Sequence, residues 1–360
     1  MTAPEGATAP PTHPSPLTLD TLDMWGATAG LPEQVAAAVS AARGVSGLPG
    51  HDQVENVVVL GMGGSGIAGD VLVAAAAPFM PVPVTVVKGY VPPDFVGTGS
   101  LVFAMSFSGN TEETLEAAAG AYEAGASLVV VAGGGALVEL AGEWDVPVVP
   151  VPTDIPQPRA ALGAMAIPPL VLLVEIGLFP GASQWVDQAV DQLTVRRDEL
   201  VRPGSRAEEV ARRIGRTIPL VHSSGDLGGA AALRWKAQVN ENAKCPAFFN
   251  VYPELCHNEV AGWGQHGDAT RQLITLVNLR HDAEHPQVSR RFDLVVDVLS
   301  EVVADVIEVR AAGEGDLAQL LDLALIGDFV SLHLAGHEGI DPGPIPVLDE
   351  IKQLLRQGSD

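Results

Sequence analysis

Residues 54–70, VENVVVLGMGGSGIAGD, constrain this chain more than any other stretch. Residues 57–60 form an unbroken apolar run that reads as a buried parallel strand, a glycine turn follows from Gly61, and an alanine-rich apolar helix continues from Ile67. Such a turn exposes backbone N–H groups at a helix N-terminus, which attract an anion. A Cβ there would hold the anion off the backbone and resist positive φ. Phosphate binding is the first expectation.

Gly61, Gly63 and Gly66 also satisfy the dinucleotide fingerprint G-x-G-x-x-G. In a nicotinamide-binding fold, however, an acidic residue closes the second strand and takes the ribose hydroxyls. Here the second strand, 82–87, ends in Lys88 and Gly89. A turn that merely packs its helix onto the strand is the plainer alternative. The third strand, 101–105, decides for phosphate, because SFSGNTEET follows from Ser106 to Thr114. The hydroxyls of Ser106, Ser108 and Thr111 gather at a second helix N-terminus, at the carboxyl end of a neighbouring strand. Helix capping by Asn110 or Thr111 would need one hydroxyl rather than three. On these residues the chain resembles the sugar-isomerase (SIS) fold, whose serine-rich turn at this place holds the phosphate of a phosphosugar.

Strands at 56–61, 82–87, 101–105, 127–132 and 146–151 alternate with helical stretches, the pattern of a right-handed doubly wound parallel sheet. An amphipathic helix over 186–201 links this unit to a second one. There a strand over 219–222 runs into Ser223-Ser224-Gly225-Asp226-Leu227-Gly228-Gly229, a loose echo of the first glycine turn. Strands at 272–279 and 303–309, with helices near 285–300 and 316–334, complete it. The expected fold is therefore α/β, with two SIS-type, flavodoxin-like doubly wound subdomains. The boundaries are a disordered arm over 1–16, N-terminal helices plus the first SIS domain over 17–182, the second over 183–345, and a C-terminal helix and tail over 346–360.

A formal charge of −24 tells against nucleic acid, whose phosphates it would repel, so any basic residue serving a phosphosugar must act locally. Arg159, Lys244 and Lys352 are the candidates. Two cysteines, Cys245 and Cys256, read as reduced, half-buried thiols in a cytoplasmic protein. The Pro/Ala/Thr-rich N-terminus lacks the blocks of a signal peptide. The apolar run 160–174 is short for a bilayer and is interrupted by Pro168-Pro169, so no membrane partner is expected. His281 and His285 read as a solvated loop feature rather than a metal site, since no third ligand stands at suitable spacing.

The helix from Ala230 ends in WKAQVNENAK, where polar residues crowd turns that a core helix would keep apolar. PELCHNEVAGW follows from Pro253. Taken in order, the glycine turn, SFSGNTEET, PRAALG at Pro158, NENAK at Asn240, PELCHNEVAGW and a terminal helix with Lys352 closely resemble the bifunctional phosphoglucose/phosphomannose isomerases, a branch of the SIS superfamily. The resemblance spans most of residues 54–356. It implies that Glu241 is the catalytic base, His257 the ring-opening acid, Arg159 the residue steadying the enediolate, Lys352 a substrate contact, and Gly63, Gly64 and Ser65 with Ser106, Ser108 and Thr111 the phosphate and sugar contacts. It also implies a homodimer with a shared active site, the histidine coming from the partner subunit. A threonine often found in the family stands here as Ile345, which bears on the choice between glucose and mannose epimers.

Elementary chemistry agrees with those roles. Moving a carbonyl from C1 to C2 needs one base that takes a proton from one carbon and returns it to the next, and no redox cofactor or metal. A partly buried carboxylate and an imidazole titrate in the useful range, and a guanidinium can hold charge that grows only in the transition state. Each residue has a plainer rival reading: Glu241 paired with Lys244, Arg159 capping a strand end or paired with Asp154, His257 in a cap or core, Lys352 on the wet face of an amphipathic helix. The expected function is interconversion of glucose 6-phosphate, and of mannose 6-phosphate, with fructose 6-phosphate. A non-catalytic phosphosugar sensor is the second reading, and a nicotinamide dehydrogenase resting on the Gly61 fingerprint alone is the third.

Overall fold

The structure, a computed structural model, describes His13 and residues 15–357. The arm expected over 1–16 lies almost entirely outside the described residues. Two compact units emerge, one built on Trp25–Arg202 with Ala312–Leu325, the other on Pro16–Met24, Pro203–Ala311 and the chain from Ile326 on.

In the first unit, helices α1 (Met24–Ala29) and α2 (Leu31–Ala42) precede a parallel sheet. The sheet and its crossovers are β1 (Asn56–Leu60), α3 (Gly63–Ala76), β2 (Val84–Val87), β3 (Ser100–Ser106), α4 (Glu112–Glu123), β4 (Ser127–Ala132), α5 (Gly135–Trp144) and β5 (Val148–Pro150). Strand order is β2-β1-β3-β4-β5, all parallel. Central strands covered on both faces read as continuous apolar runs, and β3 is accordingly buried along its whole length. Edge strands β2 and β5 are only partly covered.

Helix α6 (Leu162–Ile176) is the apolar run that Pro168-Pro169 was expected to interrupt. Both prolines lie inside a continuous helix whose residues are nearly all buried, so packing outweighs the lost N–H donors. It packs on α2 where Gly163 leaves no room: a Cβ there would lie 2.9 Å from the Val35 nitrogen. Helix α7 (Ala182–Leu200) belongs with this unit, so the chain passes to the second unit at Arg202 rather than at residue 182.

The second unit contains α8 (Arg206–Ile214), β6 (Ile218–Ser224), α9 (Gly225–Asn242), β7 (Phe248–Tyr252), α10 (Gly267–Leu273), β8 (Ile274–Arg280), α11 (Pro286–Leu299) and β9 (Asp305–Arg310). Its sheet, β7-β6-β8-β9, is also parallel and repeats the order of the first four strands of the first sheet. Helix α12 (Asp316–His337) contributes to both units, and α13 (Pro346–Gln357) ends the described chain. By length and composition α12 could cross a membrane, but its apolar window is 100% buried in the fold.

The two halves share a device at their first turns. Gly63 and Gly225 both open a helix at positive φ, +52° and +59°. A Cβ at Gly66 would meet the Gly61 carbonyl at 2.8 Å, and one at Gly228 would meet the Ser223 hydroxyl at 2.0 Å.

Candidate active site

In the first unit, three turns meet at the carboxyl ends of the strands. The Phe107 N–H donates to the buried Ser65 hydroxyl at 3.3 Å, tying the serine turn to the glycine turn. Ser106 and Thr111 hydroxyls lie 2.9 Å apart, and Ser106 also accepts from the Gly109 N–H at 3.1 Å. Ser108 accepts from the Asn110 N–H at 3.2 Å. Gly109, at φ +68°, can only be glycine, because a Cβ would fall 1.6 Å from the Gly134 carbonyl oxygen. Thr111 stands at the N-cap of α4, yet its side chain caps nothing and turns to Ser106 instead. The capping alternative therefore does not account for the hydroxyls.

The third turn carries Arg159. It is 4% exposed, and its Nη1 donates to Gln157 at 3.2 Å. A Cβ on Gly64 would come within 3.0 Å of the Pro158 carbonyl oxygen and 3.4 Å of Arg159 Cα. Gln34 of α2 fixes the far side by donating to the Ala160 carbonyl at 2.9 Å. Gly63, Gly64, Ser65, Ser106, Ser108, Thr111 and Arg159 thus occupy one corner of this unit, with backbone amides and hydroxyls suited to an anion.

At the end of β2, Lys88 pairs with Asp70 of α3. Burial pushes the Asp70 carboxyl above its ordinary range despite that partner. A cation thus stands where a nicotinamide-binding fold keeps an acid.

The corresponding corner of the second unit is filled by its own side chains. Arg280, at the end of β8, is held by Glu284 at 2.8 Å, Glu308 at 3.0 Å and Ser289 at 2.8 Å, and lies over the Phe292 ring. His281 is not solvated as expected: it is buried, and its Nε2 lies 2.9 Å from the Ser224 carbonyl and 3.1 Å from the Ser224 hydroxyl. His285 caps α11, accepting from the Gln287 N–H at Nδ1.

Glu241 lies half-buried in the last turn of α9. The polar residues beside it serve a buried zipper. Arg234, Gln238 and Asn242, one turn apart on a single face, are all at most 3% exposed. Arg234 and Gln238 grip Asp328 of α12 at 2.6 and 2.8 Å, and Asn242 donates to Ser331 at 2.9 Å. The Ser331 hydroxyl returns to the Asp328 carbonyl at 2.6 Å. Lys244 directs its ammonium to the Glu241 backbone carbonyl at 2.7 Å, a different contact from the carboxylate pairing weighed on sequence.

His257 is exposed at the end of the short 3-10 turn Glu254–His257. Two residues on, Glu259 anchors this segment: its carboxylate takes His222 Nε2 at 2.7 Å and Asn250 Nδ2 at 2.8 Å. Burial pushes the Glu259 carboxyl up, but these bonds outweigh it and hold the group below its usual range. Lys352 is exposed on α13. Sequence reasoning overlooked Gln157, Glu259 and the zipper. A four-residue spacing of Arg234, Gln238 and Asn242 was the one signal available for the last.

Comparison with known proteins adds three observations. Residues 204–355 match the family model of the bacterial phospho-glucose isomerase C-terminal SIS domain. A bifunctional phosphoglucose/phosphomannose isomerase of Caldicellulosiruptor bescii is 33% identical over 94% of this chain and 100% of its own length; one of Aquifex aeolicus is 34% identical over 84% and 91%. The C-terminal domain of glucosamine-fructose-6-phosphate aminotransferase from Francisella tularensis superposes with a TM-score of 0.65 at 16% identity, covering 89% of this chain and 97% of that one, a likeness of fold.

Proposed function

The chain belongs to the bifunctional phosphoglucose/phosphomannose isomerase family, and we propose on that premise that it interconverts glucose 6-phosphate, and mannose 6-phosphate, with fructose 6-phosphate. The observation that carries this reading is the first unit's corner, where Ser65, Ser106 and Thr111 are interlocked with backbone amides beside a buried Arg159.

The serine turn and the N-terminus of α3 take the phosphate dianion, whose charge the amides and helix dipole favour. After ring opening, assisted by His257, the Glu241 carboxylate removes the C2 proton of the aldose. The electron pair moves to the C1 oxygen, giving a cis-enediolate whose charge Arg159 offsets, and the C2 hydroxyl proton passes to the C1 oxygen. Glu241 then returns its proton to C1 as the C2 oxygen's electron pair re-forms a carbonyl, leaving the ketone at C2. One carboxylate serves both carbons, and the zipper to α12 holds its helix in place. Residues of the proline-rich 342–347 segment, Ile345 among them, bear on epimer choice. The assembly we propose is a homodimer, the histidine coming from the second copy; sedimentation measures it.

Glu241→Gln tests the base. It should keep hexose-phosphate binding and lose on the order of 10²–10⁴-fold in turnover. In deuterated water the parent should exchange the C2 proton of its substrate, whereas a non-catalytic sensor would bind without exchange. A near-parent rate in the variant would remove Glu241 from the mechanism.

A further inference from the structure

Lys244 stands where helices commonly end on glycine. Helix α9 closes at Asn242, Ala243 is still helical, and Lys244 has φ +52°. Among the described residues the other non-glycine positions with positive φ are Asp23 and Asp145. Aspartate tolerates the left-handed region through its short polar side chain, whereas lysine has no such compensation in its backbone. The compensation must come from the ammonium.

That ammonium faces four backbone carbonyls: Glu241 at 2.7 Å, Pro342 at 3.2 Å, Asp341 at 3.1 Å and Asn242 at 3.4 Å. Two belong to the C-terminal turn of α9, the negative end of its dipole. The other two belong to the turn that leads into α13. This second turn is itself pinned, since the Asp341 carboxylate accepts from the Thr21 hydroxyl at 2.6 Å and from the Gly343 N–H at 3.0 Å. An ammonium is a compact point charge with three rotatable protons and no acceptor, so it can serve carbonyls that converge on it from two segments.

We propose that Lys244 is a positioning residue: its ammonium clamps the last turn of α9, and with it Glu241, to the 341–343 turn that precedes Ile345 and the Lys352 helix. The proposal rests on Glu241 being the base. A simple helix stop would be better made from glycine, with neither strain nor a long side chain to order. The lysine is explained by what it joins.

The test uses the full chain with Lys244→Gly and Lys244→Asn. Both residues suit positive φ, and both lack the ammonium. Each should melt within roughly 4 °C of the parent, while kcat on both hexose 6-phosphates falls about tenfold or more through displacement of the base. KM should change little, and the deuterium isotope effect on kcat with C2-labelled substrate should rise as proton transfer becomes rate-limiting. Unchanged kcat and isotope effect beside an inactive Glu241→Gln would overturn the clamp alone and leave Lys244 a helix stop. Rate losses that only follow a lost folded fraction in both variants would overturn it too. A near-parent rate in Glu241→Gln would overturn both the base and the clamp that acts through it.

Discussion

Gly64→Ala separates packing at the glycine turn from the stability of the helix it starts. Gly64 lies in the first turn of α3 and does not have positive φ, so alanine meets no backbone strain there. On helix propensity alone the change gains about 1 kcal/mol. The new methyl, however, would sit 3.0 Å from the Pro158 carbonyl oxygen and 3.4 Å from Arg159 Cα. The first contact is about 0.4 Å inside ordinary van der Waals distance, so the 158–159 turn must give way, and overpacking of this kind costs about 1–3 kcal/mol. The two effects nearly cancel, leaving a net loss of about 0–2 kcal/mol and a melting temperature lower by no more than roughly 8 °C. Activity should suffer more. If a 1 Å displacement of a catalytic group costs on the order of 100-fold, a shift of about 0.4 Å in Arg159 costs about 5- to 10-fold in kcat. The assay is initial-rate formation of fructose 6-phosphate alongside thermal melts. Gly142→Ala is the control: it lies in α5 with nothing within 4 Å of its added methyl, and should stabilise by up to about 1 kcal/mol with kcat unchanged. A Gly64→Ala enzyme with parent kcat would refute the placement of Arg159 by the glycine turn.

Two further variants probe the frame around Glu241. Asp328→Ala removes the buried carboxylate that Arg234 and Gln238 share and should cost about 3–5 kcal/mol, seen as a melting point lower by roughly 6–20 °C; a loss under about 1 kcal/mol would mean the zipper is not a supporting element. His333 of α12 is held down to about 4 by burial. Its folded value lies below the unfolded one, so the stability linked to its neutral form is complete above about pH 6.5 and disappears as pH falls toward 4, about 3 kcal/mol in all. His333→Leu should flatten that acid limb in melts run from pH 7 to 4, and an unchanged limb would assign it to other groups.

Much of the architecture was legible because local patterns and global fold agree. The apolar runs of β1, β3 and β4 announce strands buried on both faces, and the glycines at 61, 63 and 66 announce the turn from β1 into α3. Propensity misled at Pro168-Pro169, where burial against α2 carries the helix through. At His281 the position after β8 is a loop as expected, but the residue is buried rather than solvated, because the Ser224 carbonyl and hydroxyl close on it. The helix that reads as a link between the units, α7, packs with the residues before it and belongs to the first unit.

By itself the sequence determined which groups the chain carries: an amide- and hydroxyl-rich turn, a carboxylate at a helix end and a histidine downstream, all within short runs whose spacing is local. Which partner each group holds was decided only by tertiary structure. Thr111 turns from its cap to Ser106, and Lys244 reaches past Glu241 to carbonyls 97 and 98 residues away. Arg234 and Gln238 find Asp328 at separations of 94 and 90. Hydrogen bonds act over about 3 Å whatever the separation along the chain, so residues far apart in sequence acquire their roles only once helices and sheets have brought them within that reach.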